Sequence, residues 1–209
     1  MLQAVLPAVL LAVFVALQIL ARAHDDLRLV WLAKPAACLV FVLVGLTRMR
    51  PGVPVDLWLV AGLLLGAAGD LLLIPRRTFV AGLLAFLAGH LAYLGAFQIA
   101  RPSGQWPLLV LVPLVLVAAS VARWLWPHLG RLRVPVAAYV VVITAMAWGG
   151  IAVSGRGLPW WVGPAAVLFW LSDVAVARER FVAPGLVNRA LGLPAYSAAQ
   201  LLLAFAVGS

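Results

Sequence analysis

The chain is 209 residues long, 66% hydrophobic and only 10% charged, with a mean hydropathy of +1.14. This composition is far too apolar for a soluble domain and predicts an integral membrane protein that forms a single transmembrane domain over residues 1–209. The formal net charge of +9 reflects 15 Lys and Arg residues that are scattered between apolar runs, which excludes the contiguous basic surface of a nucleic-acid-binding protein.

Eight apolar segments, separated by short clusters of Arg, Pro and Gly, predict an all-α polytopic membrane bundle of eight transmembrane helices. Each segment is close to the roughly 20 residues that a spanning helix needs. The segments are continuously apolar, unlike the alternating pattern of a membrane β-barrel strand. The predicted helices cover residues 2–21, 29–47, 57–74, 78–100, 106–126, 132–153, 159–178 and 187–207.

The basic residues predict how the bundle is oriented in the cell (inner) membrane. With eight spans both termini lie on the same side, and the loops of that side carry four Arg residues. The loops and helix ends of the other side carry ten. Because Lys and Arg are enriched in cytoplasmic loops, we expect the richer side to face the cytoplasm and both termini to face the non-cytoplasmic side.

Two aspartates interrupt the apolar helices, Asp70 in GAAGDLLL and Asp173 in LFWLSDVAVA. A carboxylate near the centre of a spanning helix costs roughly 2.5–3.5 kcal/mol, so each aspartate needs a polar partner or a wet cavity. The third and seventh helices run in the same direction, which puts both residues near the cytoplasmic ends at similar depth. We therefore predict a shared site in the cytoplasmic half. The structural alternative is that each aspartate pairs with an arginine of the loop after its helix.

Other polar side chains are predicted at comparable or greater depth on neighbouring helices. Lys34 either extends to the surface along its apolar stem or serves as a counter-ion to the aspartates. His90 and Tyr93 share a helix face, as do Tyr196 and Gln200, because their spacings are those of helical neighbours. Each of these residues also fits an ordinary hydrogen bond between helices. The candidates for binding a substrate are Lys34, His90, Tyr93, Tyr139, Tyr196 and Gln200.

A faint internal repeat relates the two halves of the chain. A Phe-Val-Ala segment follows each aspartate, and Tyr93 and Tyr196 each follow their aspartate by 23 residues. Two parallel four-helix repeats, related by an axis along the membrane normal, would bring the aspartates to matching depth. The alternative is a coincidence of small and aromatic residues, which are common in apolar sequence.

No metal site or cofactor is predicted. Cys38 is the only cysteine and lies in an apolar run, so it forms no internal disulfide, and we expect a small core residue. His24 and His128 fall in loops, and the chain has neither a His-Glu-x-x-His motif nor a Cys/His cluster. It also lacks a Walker loop and a dinucleotide-binding loop.

The paired aspartates indicate acid/base chemistry. Two carboxylates in a poorly hydrated cavity repel each other, so one tends to hold a proton while the other stays charged. Such a pair suits a reaction through an oxocarbenium-like cation, as in glycoside hydrolysis, and in a membrane an acid-labile lipid ether is a natural substrate. Two alternatives are a small-solute or lipid transporter, in which paired intramembrane acids also occur, and a non-catalytic lipid-binding protein.

Several segments from residue 34 onward carry a family resemblance: Lys34-Pro35, GAAGDLLL, FxxGLLAFLAGHLAYLGAF from Phe79 to Phe97, Tyr139 with Thr-Ala-Met, GPAAVLFWLSD ending at Asp173, and Tyr196-x-x-x-Gln200. In this order they resemble the YhhN family of membrane proteins. Each segment alone is weak evidence for this family, whereas the whole set in this order is specific to it. Ala68 departs from the pattern, because the family has a serine two residues before the first aspartate, and this puts a helper hydrogen bond in doubt.

The resemblance implies an eight-helix bundle with lysoplasmalogenase activity, which hydrolyses the vinyl ether of a lysoplasmalogen to a fatty aldehyde and glycerophosphoethanolamine or glycerophosphocholine. The implied partners are a lysophospholipid substrate and membrane lipids. Asp70 and Asp173 would be the catalytic pair, one as the acid and the other positioning water or stabilising the cation. The six polar candidates would orient the substrate. Arg76, Arg77 and Arg180 are candidates to attract the phosphate, although topology alone also explains them.

Overall fold

The computed structural model of the chain describes residues 2–209, and their side chains from Ala4 onward. It confirms the predicted all-α bundle of eight long helices, whose ends differ from the predicted ones by at most three residues. The helices are α1 (Leu2–Ala23), α2 (Leu27–Arg48), α3 (Pro54–Leu72), α4 (Phe79–Ala100), α5 (Leu108–Leu125), α6 (Arg133–Val153), α7 (Val162–Ala177) and α8 (Leu186–Ala206).

Local sequence signals account for several helix ends. Asp26 caps α2, because its carboxylate accepts hydrogen bonds of 3.0 Å from the backbone N–H groups of Arg28 and Leu29. Pro54 begins α3 at the first helical position, where no N–H donor is needed. The helix α7 has only 16 residues and continues into a π-helical turn, Arg178–Val182. Such turns are rare and often lie at functional sites.

The surface of the bundle suits a lipid environment. Six helices, α1 to α6, are long and apolar enough to cross a membrane by length and composition. The helix α7 is shorter and α8 carries more polar side chains, yet both pack within the same bundle. Large apolar side chains point outward, with Leu109 87% and Val134 78% exposed, whereas polar residues such as Gln200 are buried. The protein is therefore a multi-pass membrane protein with a partly polar interior.

The helix packing repeats between the two halves of the chain. The helix pairs α1–α2, α2–α3 and α3–α4 correspond to the pairs α5–α6, α6–α7 and α7–α8. Across the middle of the bundle, α4 packs against α6, and α8 packs correspondingly against α2. This arrangement agrees with two parallel four-helix repeats. One departure is that α1 also packs against α8, whereas α5 is peripheral, with only 11% of the residues in its most apolar stretch buried.

Glycines on α3 allow α4 to approach closely. A Cβ atom added at Gly69 would come within 2.7 Å of the Phe86 ring, and one at Gly62 would overlap the ring of Tyr93. Only glycine leaves room for these aromatic rings, as is common where membrane helices pack through small residues. The close contact brings the face of α4 that carries His90 toward the interior of the bundle.

Candidate active site

A cavity of about 550 Å³ opens at the end of the bundle where α3 connects to α4 and α7 connects to α8. Asp70 on α3 and Asp173 on α7 both line it, and each of the other six helices also contributes lining residues. The two aspartates, which are 103 positions apart in the chain, are thus brought to one chamber by the packing of the two halves.

Asp70 is the centre of a buried ion pair. The Nζ atom of Lys34 lies 2.8 Å from its Oδ1 atom, and the Cys38 thiol donates to its Oδ2 atom across 3.3 Å. Lys34 and Cys38 are one helical turn apart on α2, so one helix face supplies both donors. Only 7% of the Asp70 side chain is exposed. The arrangement stabilises Asp70 as an anion, because a buried carboxylate needs both a counter-charge and hydrogen bonds.

Asp173 has a different set of partners. The Tyr139 hydroxyl donates to its Oδ2 atom across 2.7 Å, and the Nε2 atom of His90 lies 3.6 Å from the same oxygen. The Nδ1 atom of His90 is 2.6 Å from the backbone carbonyl of Phe86, which can only accept, so Nδ1 carries a hydrogen. The Nε2 atom is buried with no hydrogen-bond partner within the described residues. The arrangement leaves Nε2 facing the Asp173 carboxyl.

The two halves of the bundle therefore build similar pairs with different charges. Lys34 on α2 contacts Asp70 on α3, and Tyr139 on α6 contacts Asp173 on α7 in the matching helices of the second half. A cation occupies the first position and a neutral hydroxyl the second. This difference is suited to keeping one carboxyl charged and the other protonated.

A chain of hydrogen bonds lies behind the cavity wall. The Tyr93 hydroxyl donates to Oε1 of Gln200 across 2.6 Å, and Nε2 of Gln200 donates to the Tyr196 hydroxyl across 3.0 Å. Tyr196 thus accepts from Gln200 and lines the same cavity as Asp70. Lys34, Tyr139 and Tyr196 line the cavity, whereas Tyr93, His90 and Gln200 are fully buried and do not. The latter three hold the lining residues in place.

An apolar arm extends from the aspartates between α5, α6 and α7. The helix α5 packs mainly against α6, and side chains of α5, α6 and α7 together line this part of the cavity. The residues of this arm are Ala118, Val121, Leu125, Val136, Val140, Ile143 and Trp170. An alkyl chain fits such a lining, because apolar walls bind the hydrocarbon while offering it no polar group.

The mouth of the cavity is basic. Arg22, Arg76, Arg180 and Arg189 line it, whereas Arg77 does not. The arginines do not neutralise the aspartates: in the described part of the chain, neither Asp70 nor Asp173 has an arginine within 4.0 Å. The alternative in which each aspartate pairs with an arginine of the following loop is therefore wrong.

Glu179, the only glutamate of the chain, braces the connection between α7 and α8. It accepts hydrogen bonds from the Gly185 amide at 2.7 Å, the Asn188 side chain at 2.9 Å and the Arg189 guanidinium at 2.8 Å. Burial raises the pKa of Glu179, but these hydrogen bonds outweigh it and hold the pKa below its usual value. Asn188 also accepts a hydrogen bond from Arg178. The brace ties the π-helical turn to the start of α8.

Sequence reasoning missed Cys38, the Glu179 brace and two of the mouth arginines. The spacing of four residues between Lys34 and Cys38 was a signal that both face the same way on α2. Glu179 lies in a loop, where its partners depend on tertiary contacts that no spacing indicates. Within the described residues, no group of three His, Cys, Asp or Glu side chains is placed to hold a metal ion.

The family model of the YhhN family matches residues 29–207 of the chain. The chain belongs to the YhhN family. The family resemblance of the sequence motifs is thereby confirmed. No solved structure matches this YhhN chain at a significant level.

Curated relatives of this YhhN chain carry the name lysoplasmalogenase. A lysoplasmalogenase of Mycobacterium bovis is 39% identical over 159 residues, which cover 70% of this chain and 58% of that protein. Lysoplasmalogenase TMEM86A of Bos taurus is 34% identical, covering 68% and 62%, and lysoplasmalogenase TMEM86B of Homo sapiens is 34% identical, covering 84% and 75%. The chain thus spans less than two thirds of the length of the mycobacterial and bovine relatives.

Proposed function

We propose that the protein is a lysoplasmalogenase, a membrane hydrolase that cleaves the vinyl ether of a lysoplasmalogen to a fatty aldehyde and a glycerophospho-base. The observation that carries this proposal is one cavity in which two differently paired carboxyls lie between a basic mouth and an apolar arm. Relatives named lysoplasmalogenase at 34–39% identity support it. The substrate has the same order of parts as the cavity: phosphate, ether and hydrocarbon chain.

In the proposed reaction Asp173 is the acid and Asp70 the base. Asp70 has the Lys34 ammonium at 2.8 Å and stays charged, while Asp173 accepts a hydrogen bond from the neutral Tyr139 hydroxyl and faces the Nε2 atom of His90 at 3.6 Å. Asp173 transfers its proton to the β-carbon of the vinyl ether, and an oxocarbenium ion forms at the α-carbon. The Asp70 carboxylate stabilises this cation and takes a proton from the water that adds to it.

The hemiacetal that forms then collapses, and both carboxyls return to their starting states. Asp70 gives the proton that it took from water to the glycerol oxygen as the C–O bond breaks. Asp173 takes the hydroxyl proton of the hemiacetal as the aldehyde forms. One water is consumed, and no proton is gained or lost overall. Tyr139 stabilises the Asp173 carboxylate during the interval by donating to its Oδ2 atom.

We propose that the protein lies in the inner membrane and that the cavity mouth faces the cytoplasm. Four arginines at this end, together with the other basic loops of the same side, support this orientation by the positive-inside rule. Both chain termini are then on the opposite, non-cytoplasmic side. A cysteine-accessibility experiment on loop positions at the two ends of the bundle would test the orientation directly.

The function is tested by incubating the purified protein with a lysoplasmalogen and with its saturated alkyl ether, followed by mass detection of products. We expect aldehyde from the vinyl ether alone, because only a double bond can accept a proton at carbon and give the oxocarbenium ion. The variants Asp70→Asn and Asp173→Asn should release no aldehyde although they remain folded. Full activity in both variants would contradict the assignment.

A further inference from the structure

We propose that Arg22, Arg76 and Arg180 form the subsite that binds the phosphodiester of the lysophospholipid headgroup, and that Arg77 takes no part in it. This inference rests on the proposed function, since it assigns the headgroup position of the same substrate. The three arginines come from separate elements: the last turn of α1, the turn between α3 and α4, and the π-helical turn after α7. All three line the cavity mouth, whereas Arg77 does not.

Among the residues that the structure describes, the guanidinium groups of these arginines have no anionic partner. Within the described residues, no carboxylate oxygen lies within 4.0 Å of Arg22, Arg76 or Arg180. The other cationic side chains of the cavity wall are already engaged. Lys34 pairs with Asp70, and the Nη2 atom of Arg189 lies 2.7 Å from Glu179. Three unneutralised guanidinium groups at one mouth favour an anion of the ligand.

Arg180 is held in place by aromatic contacts and donates no hydrogen bond to the described part of the chain. Its guanidinium carbon lies 4.1 Å from the centre of the Phe79 ring, and Phe79 makes an edge contact with Phe181 at 5.9 Å. Both rings line the mouth beside Arg180. Stacking on an aromatic face fixes the plane of a guanidinium while its N–H groups stay free. The Arg180 donors are therefore available to phosphate oxygens.

Arg22 is positioned through its backbone. The guanidinium of Arg189 donates to the Arg22 carbonyl oxygen across 3.3 Å, which joins α8 to the end of α1. Glu179 neutralises the charge of Arg189. Arg189 is therefore a positioning residue for Arg22 rather than a phosphate ligand. The side chain of Arg22 stays half-buried at the cavity wall, without a carboxylate partner in the described structure.

The subsite makes the enzyme selective for lipids that carry phosphate. An alkenylglycerol has the same vinyl ether and chain but no phosphate, and it gains nothing from the three arginines. Removing one charge-assisted hydrogen bond to phosphate should weaken binding about tenfold. The effect should fall on binding and leave the chemical step almost unchanged, because the arginines do not contact the ether.

The test measures binding of the saturated alkyl lysophosphatidylethanolamine, which cannot be hydrolysed, together with aldehyde release from the vinyl substrates. We expect Arg22→Gln, Arg76→Gln and Arg180→Gln each to raise the Kd of the alkyl lipid and the KM of lysoplasmalogen about tenfold, with kcat little changed. The KM for alkenylglycerol should not change. Arg77→Gln, which removes one charge from the same surface, is the matched control and should leave all constants unchanged.

Each alternative has its own outcome. An equal loss in Arg77→Gln would show that general surface charge attracts the lipid, and an equal loss for alkenylglycerol would show a structural effect; either result overturns the subsite. Competition by millimolar inorganic phosphate would assign the arginines to the free ion rather than the headgroup and would also overturn it. Absence of aldehyde with the wild-type protein, while arginine-dependent binding of the alkyl lipid persists, would reject the proposed function and retain the subsite.

Discussion

The Lys34 ammonium lies 2.8 Å from the Asp70 carboxylate inside the bundle, and the matching position of the second half holds the Tyr139 hydroxyl. A cation beside one carboxyl and a neutral donor beside the other gives the pair its asymmetry. The repeated architecture would otherwise place two like carboxyls in similar surroundings. The difference between Lys34 and Tyr139 therefore assigns the base and the acid in the proposed reaction.

Removing the cation should affect both stability and activity. Lys34→Met leaves Asp70 buried without its counter-charge, and breaking a buried pair in this way costs about 3–5 kcal/mol. We expect a lower melting temperature in detergent and loss of aldehyde release. The double variant with Asp70→Asn should recover most of the melting temperature without recovering activity. Lack of any recovery would show that Lys34 stabilises the fold through contacts other than Asp70.

Asp173→Asn should abolish the protonation step. A general acid contributes about 10²–10⁴-fold to a rate. We therefore expect kcat to fall by about 10²-fold or more, while the alkyl lipid still binds. The neighbouring variant Ser172→Ala is the control, because the Ser172 hydroxyl donates to the Phe169 carbonyl and not to either aspartate. Single-turnover aldehyde release by the two variants is the measurement. Equal activity of both would remove Asp173 from the mechanism.

Tyr93→Phe should reduce stability more than activity. Its hydroxyl is buried and donates to Gln200, so its removal leaves the amide oxygen unsatisfied at a cost of about 1–3 kcal/mol. Tyr93 does not line the cavity, so we expect KM to change little. Melting curves and steady-state kinetics on the same preparation check both parts. A large rise in KM with an unchanged melting temperature would instead support direct contact with the substrate.

Filling the apolar arm should discriminate between substrates of different chain length. Ala118 is buried on α5 and lines the arm, and Ala118→Trp would place an indole where the chain lies. We expect kcat/KM to fall about tenfold for a long alkenyl chain and to stay unchanged for a short one. Ala119→Trp, at the adjacent exposed position, is the control. A loss that is independent of chain length would argue against this route for the hydrocarbon.

The Glu179 brace should weaken in acid. Its folded pKa is below the usual value of 4.5, so its stabilising contribution is complete above about pH 4.5 and is lost as the pH falls through the folded pKa. The melting temperature of wild type should exceed that of Glu179→Gln at neutral pH, and the difference should shrink below about pH 4.5. A difference that is independent of pH would show that the brace does not depend on the charge of Glu179.

The membrane class, the eight helices and the family can all be deduced from the amino-acid sequence. Apolar length and the cost of a buried carboxylate are local properties, so they can be deduced from a window of the chain without its neighbours. For the same reason Asp70 and Asp173 were identifiable as the centre of a site. The positions of Lys34 and Tyr139 at matching depth followed from the predicted direction of each helix.

Which side chains line the cavity and which lie behind its wall depends on how the helices pack together. His90, Tyr93 and Gln200 carry polar groups as Tyr196 does, and helix rotation alone separates the buried from the lining positions. At the mouth, Arg22 in the last turn of α1 lines the cavity, whereas Arg77 in the turn between α3 and α4 does not. A loop side chain is placed by contacts with elements distant in sequence, such as the Phe79 ring beneath Arg180, and no local spacing contains that information.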